Sequence, residues 1–68
     1  MKNSIKVERA RQNLTQAKLA ELANVSRQTI NAVELGKYIP STVLSLKLSD
    51  IFSVPVNQLF ELEETDLH

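Results

Sequence analysis

Cysteine is absent from all 68 residues, so neither a disulfide nor a thiolate metal site can be built. A single histidine, His68 at the C-terminal end, cannot form an imidazole zinc site alone and is expected to lie in a free tail. No apolar run approaches the ~20 residues of a membrane span, and nothing at the N-terminus resembles a secretory signal. There is no Gly-rich phosphate loop, no internal repeat and no low-complexity tract. Glu61, Glu63 and Glu64 read as a solvated tail and not as paired carboxylates in a cleft. Together these absences predict one small soluble, cytoplasmic domain without metal, cofactor, small-molecule substrate or enzymatic activity. Its length is near the lower limit for a core without staples.

Net charge is also absent, but only in the sum. Residues 1–40 carry seven Lys/Arg against three Glu, whereas residues 41–68 carry Lys47 against five carboxylates. A balance of +4 in one half and −4 in the other suits a basic face that meets a polyanion and an acidic face kept away from it.

What the chain does have is a succession of short amphipathic segments with clear ends. The first helix is expected over Ser4 to Gln12, capped by Asn3 or Ser4, with thin apolar content (Ile5, Val7, Ala10) and a stop at Asn13. The second, Gln16 to Ala23, follows the N-cap Thr15 and should turn Leu19, Leu22 and Ala23 inward, with Ala20 permitting close approach. Asn24 then suits a turn that needs φ > 0, and Val25 plugs that turn. The third helix starts after Ser26 and runs from Arg27 to about Leu35, ending on Gly36. Ile30 and Val33 face inward, and Gln28, Asn31 and Ala32 face outward. The fourth, Thr42 to Phe52, is capped by Ser41. Leu44, Leu48, Ile51 and Phe52 form its inner stripe, with Leu46 at the flank and Val43 on the polar side. Ser53-Val54-Pro55 breaks it. A short helix over Val56 to Phe60 then leads to an acidic end, read as a strand followed by a frayed tail. Five short helices with connections of two to six residues define an all-α bundle.

Gln16 to Leu35 meets the physical requirements of a helix-turn-helix. Counting from Gln16, the apolar plugs fall at Leu19, Val25, Ile30 and Val33, the small residue at Ala20 and the turn residue at Asn24. The outer face carries amides and an alanine, where a merely solvated helix would carry Lys and Glu. On these residues, LTQAKLAELANVSRQTINAVELGKYIP resembles the Cro-like phage repressors and xenobiotic-response-element (XRE) type regulators. The likeness extends from Ile5 to Phe60 and includes SxxLxLxLxxIF from Ser41. It implies a five-helix lambda-repressor-like domain, with the termini free to form a small β-strand pairing.

The resemblance also implies roles. Gln16 matches a residue whose side chain and backbone N–H sit at a DNA phosphate. Ser26, Arg27, Gln28, Thr29, Asn31 and Ala32 match recognition-helix positions. Arg27 is suited to guanine or phosphate, Gln28 to adenine, and Ala32 to a thymine methyl. Lys37 and Tyr38 match a loop that follows the DNA backbone. Arg9 and Glu34 match a supporting pair between the first and third helices. Three departures stand out: Asn24 for the usual Gly, Glu8 where relatives often have Leu (with Val7 expected to take over its packing), and Ile39 where relatives often have Asn. The implied function is a repressor that binds double-stranded DNA as a homodimer on a palindromic operator. At this length no separate ligand domain is expected. The alternative is an antitoxin or other protein-interaction module that binds a partner through residues 53–68.

Overall fold

The structure, a computed structural model, describes residues 1–67. The expectation for His68 lies outside the described residues. Five helices, α1 (Ile5–Arg11), α2 (Gln16–Ala23), α3 (Arg27–Glu34), α4 (Thr42–Phe52) and α5 (Val56–Leu59), are framed by two short strands, β1 (Lys2–Asn3) and β2 (Phe60–Glu61). The strands pair antiparallel, Lys2 with Glu61 and Asn3 with Phe60, which closes the two ends of the chain on each other.

Local chemistry explains the helix starts. The hydroxyls of Thr15, Ser26 and Ser41 accept from the backbone N–H groups of Lys18, Thr29 and Leu44 at 3.0–3.1 Å. Each such cap contributes about 1 kcal/mol. The first helix differs: Ser4 makes no side-chain cap, and Asn3 Oδ1 accepts from the Ile5 N–H at 3.2 Å instead.

The helix ends share one device. Asn13, Asn24, Gly36 and Ser53 all have φ between 55° and 73°. Behind each, the next residue's N–H reaches back five residues: Leu14 to Arg9, Val25 to Ala20, Lys37 to Ala32 and Val54 to Ser49. This double closure satisfies carbonyls that the last turn would leave unpaired. After α1, α2 and α4 the residue that reaches back is apolar and packs on the core as Leu14, Val25 and Val54. After α3 it is Lys37, which stays exposed.

Ile5, Leu19, Ala20, Ala23, Ile30, Val33, Leu44, Leu48, Phe52, Leu59 and Phe60 form a single core. Three expectations need correction. Leu22 is 50% exposed, because α2 turns the Leu19–Ala20–Ala23 face inward and Leu22 sits ~110° from its centre. Val7 is 53% exposed and Ala10 is also exposed, so Val7 does not take over packing for Glu8. Glu8 itself turns inward, its side chain 12% accessible, and pairs with Arg11 at 3.5 Å.

The acidic end is not frayed. Residues Glu64–Leu67 form a 3-10 turn. The Met1 α-amino group lies 3.0 Å from Glu63 Oε1 and 3.1 Å from Asp66 Oδ2. Asp66 also accepts the Glu63 backbone N–H at 2.8 Å. Hydrogen bonding to Glu63, then Asp66, raises the α-amino pKa above its usual 8.0. The Glu63 N–H, then the α-amino group, lowers that of Asp66 below 3.8.

These shifts set the sign of a pH dependence. The raised amine stabilises fully below pH ~8, and its contribution is lost as pH climbs through the raised value. The lowered carboxylate stabilises above pH ~4, and its contribution is lost as pH falls through the lowered value. Thermal melts should therefore show a plateau between those limits with a decline on both sides. Asp66→Asn should weaken both declines; an unchanged profile would show that the contact carries no stability.

Candidate nucleic-acid interface

All six residues required of a helix-turn-helix occupy their places. Leu19, Ala20, Ile30 and Val33 are buried, Val25 is half-buried against them, and Asn24 takes the left-handed conformation that turns the chain. Lys47 of α4 braces the turn by donating to the Ala23 carbonyl at 3.2 Å. A cation at a helix C-terminus is favoured by the helix dipole as well as by the bond.

The residues expected at DNA, Ala32 apart, fall into three groups. Gln16, Arg27, Gln28 and Asn31 line one shallow open cleft where the N-terminus of α2 meets the outer face of α3. Arg27 and Gln28 are exposed, and Arg27 has no ion-pair partner among the described residues. Ser26 and Thr29 serve the helix start, with their hydroxyls 2.8 Å apart and the Ser26 oxygen on the Thr29 N–H. Lys37 and Tyr38 are exposed beyond the C-terminus of α3, apart from the cleft. Ala32 is half-buried and not fully outward, since its short methyl lies one turn from the longer Gln28.

Beneath the cleft lies the supporting pair. Arg9 Nε and Nη2 donate to the two Glu34 carboxylate oxygens at 2.7 and 3.1 Å, and Nη1 donates to the Leu14 carbonyl at 2.9 Å. Hydrogen bonding to Glu34 pushes the Arg9 pKa up further, so the guanidinium is charged at every accessible pH. Gln16 Nε2 joins this network, 3.3 Å from Glu34 Oε1 and 3.1 Å from Asn31 Oδ1. The Gln16 side chain is thereby turned toward Asn31, and since the Lys18 N–H is taken by Thr15, the backbone N–H groups of Gln16 and Ala17 are the α2 donors suited to an anion.

Sequence reasoning missed two supports. Asn3 Nδ2 donates to the Val33 carbonyl at 2.9 Å while its Oδ1 caps α1, so one amide joins the start of α1 to the end of α3. Lys47 reads from sequence as a solvated cation but ends α2. Only the local half of the Asn3 role, a capping residue ahead of a helix, has a signal in the sequence.

This geometry agrees with what the chain is similar to. A family model described as "Helix-turn-helix" matches residues 5–59. The chain is 47% identical over 64 residues, covering 94% of its length and 97% of the relative's, to YgzD of Bacillus subtilis, named an uncharacterized HTH-type transcriptional regulator. A protein of the same description from Methanocaldococcus jannaschii is 47% identical over 66 residues, covering 97% of this chain and all of that one. Another from Archaeoglobus fulgidus is 39% identical over 67 residues, with 98% and 94% covered. The motif's buried plugs, its left-handed turn and its likeness along the whole length agree, and the chain belongs to the XRE/Cro-like helix-turn-helix family of transcriptional regulators.

Proposed function

We propose that the protein is a cytoplasmic repressor that binds double-stranded DNA sequence-specifically as a homodimer on a palindromic operator, without catalytic activity. The observation that carries this reading is the row of Arg27, Gln28 and Asn31, exposed on a helix whose opposite face is locked into the core. Amide and guanidinium groups on a rigid helix match base edges in a major groove. Gln16 and its neighbours at the N-terminus of α2 offer backbone N–H groups to one phosphate, and Lys37 with Tyr38 meets the backbone beyond the other end of α3. A bound dimer would then block access of other proteins to the same groove.

Two features support the dimer. One reading helix touches few base pairs, and two set a turn apart (~34 Å) multiply specificity. The protein also exposes Ile39, Val43 and Leu46, at 56–66%, and Ile39 and Leu46 line an apolar groove with Met1, Pro40, Val56 and Phe60. A second copy seated there would cover that surface. The strands pair within one chain, so they do not require the second copy. The partner-binding alternative has less support, because Glu63 and Asp66 of the C-terminal segment are already engaged by Met1.

Binding sites selected from random duplex DNA supply the test, and two variants separate the roles. Gln28→Ala should lose roughly 1–3 kcal/mol of discrimination at one position of each half-site while non-specific binding persists. Lys37→Ala should weaken all sequences alike and flatten the salt dependence by about one unit of slope. An unchanged selected site and affinity in Gln28→Ala would show that α3 is not the reading element.

Sedimentation should give a dimer, on DNA if not free, with half-sites about one turn apart. A monomer under both conditions at tens of micromolar would contradict the symmetric assembly.

A further inference from the structure

We infer that Asn3 is a positioning residue for DNA binding, because its amide fixes the turn that presents Lys37. This rests on the phosphate role proposed for Lys37 above and adds the residue on which that role depends.

The need for such a residue comes from the way α3 ends. After α1, α2 and α4 the residue behind the left-handed turn packs on the core, as Leu14, Val25 or Val54. Burial holds those turns. After α3 that residue is Lys37, and everything from Gly36 to Ile39 is exposed. Among the described residues, neither Tyr38 nor Ile39 joins a backbone–backbone hydrogen bond. The chain is next anchored at the buried Pro40.

The N-terminal segment supplies the missing anchor. The Val33 carbonyl accepts from the Gly36 N–H at 3.0 Å and from Asn3 Nδ2 at 2.9 Å, which fills both its acceptor positions. The same Nδ2 lies 3.5 Å from the Glu34 carbonyl. The Met1 carbonyl stands 3.7 Å from where a Cβ on Gly36 would lie, so the backbone ahead of Asn3 rests against the turn. Asn3 is itself well fixed. Its Oδ1 accepts the Ile5 N–H, its strand pairs with β2, and the following N–H, that of Ser4, donates to the Leu59 carbonyl at 2.9 Å.

A cation on a fixed turn loses less freedom on meeting a phosphate than one on a loose turn. Asn3 therefore acts on affinity for all sequences alike, through Lys37, and leaves base preference to Arg27, Gln28 and Asn31.

Asn3→Ser tests this without a change of charge. Its hydroxyl can still accept the Ile5 N–H, but one short-armed oxygen does not also reach Val33. Folding is checked by circular dichroism and melting, and hydrogen exchange of the free protein comes first. The Gly36 and Lys37 amides should exchange roughly fivefold faster or more, with Asn24 and Val25 at the equivalent stop of α2 unchanged. No acceleration at α3, or the same acceleration at both stops, would overturn the inference. Should Asn3→Ser fail to fold, Asn3→Asp keeps the cap and the shape, removes the donor and serves the same comparison.

Affinity for a selected and an unrelated duplex is then measured over a range of salt. Asn3→Ser should weaken both by a similar factor of roughly threefold to tenfold, with a shallower salt slope and the same selected sequence. In a Lys37→Ala background the same substitution should cost at most about twofold. Wild-type affinity, a changed base preference or the full loss in both backgrounds would each overturn the inference, as would a Lys37→Ala chain that binds like the wild type. A protein that binds no duplex would overturn the DNA reading itself, while hydrogen exchange would still decide whether Asn3 holds the turn.

Discussion

The bidentate pair between Arg9 and Glu34 is the contact on which the placement of α3 and the start of α2 depends. It joins α1 to the last turn of α3, and through the Leu14 carbonyl and the Gln16 amide it reaches the connection before α2 and the start of α2. With side chains 15% and 7% accessible, the two charges are largely withdrawn from water. Such a pair adds little net stability compared with an apolar substitute, but removing one partner strands the other at a cost of about 3 kcal/mol or more. Its value here is directional. Three helices are held in one arrangement, and an amide at the rim takes its orientation from them.

Around that contact the chain repeats one way of stopping a helix. Four left-handed residues, Asn13, Asn24, Gly36 and Ser53, end four helices with the same pair of backward hydrogen bonds. Where the following residue is Leu14, Val25 or Val54 it drops into the core and fixes the angle of the next segment. Where it is Lys37 the same geometry leaves a cation exposed at the end of α3. A motif that elsewhere anchors the fold is used there to present a charge, and the change requires only one residue type.

Much of this was legible in the sequence because it is local. Thr15, Ser26 and Ser41 mark helix starts through bonds that span three residues, and Asn24 and Gly36 mark ends through their own backbone preferences. The buried face of α3 follows from the 100° spacing of Ile30 and Val33. What was not legible depends on distant partners. Leu22 could lie on either flank of the α2 stripe until the neighbouring helices fix the direction of the core. Ser53 is not a residue type that announces a left-handed end. The acidic residues after β2 resemble a solvated tail because their partner is the far end of the chain, and Asn3 reaches carbonyls 30 residues away. The exposed polar row of α3 was legible in full; the bonds that orient one of its members were not.

We propose that α3, presented by α2 and its turn, is the surface that meets DNA. Titrating a short operator duplex into isotope-labelled protein and following backbone amide resonances tests it most directly. Reading by α3 predicts that the changes concentrate at Gln16, from Arg27 to Ala32, and at Lys37 and Tyr38, while residues 61–67 stay unmoved. Changes confined to residues 53–67 with α3 silent would contradict it.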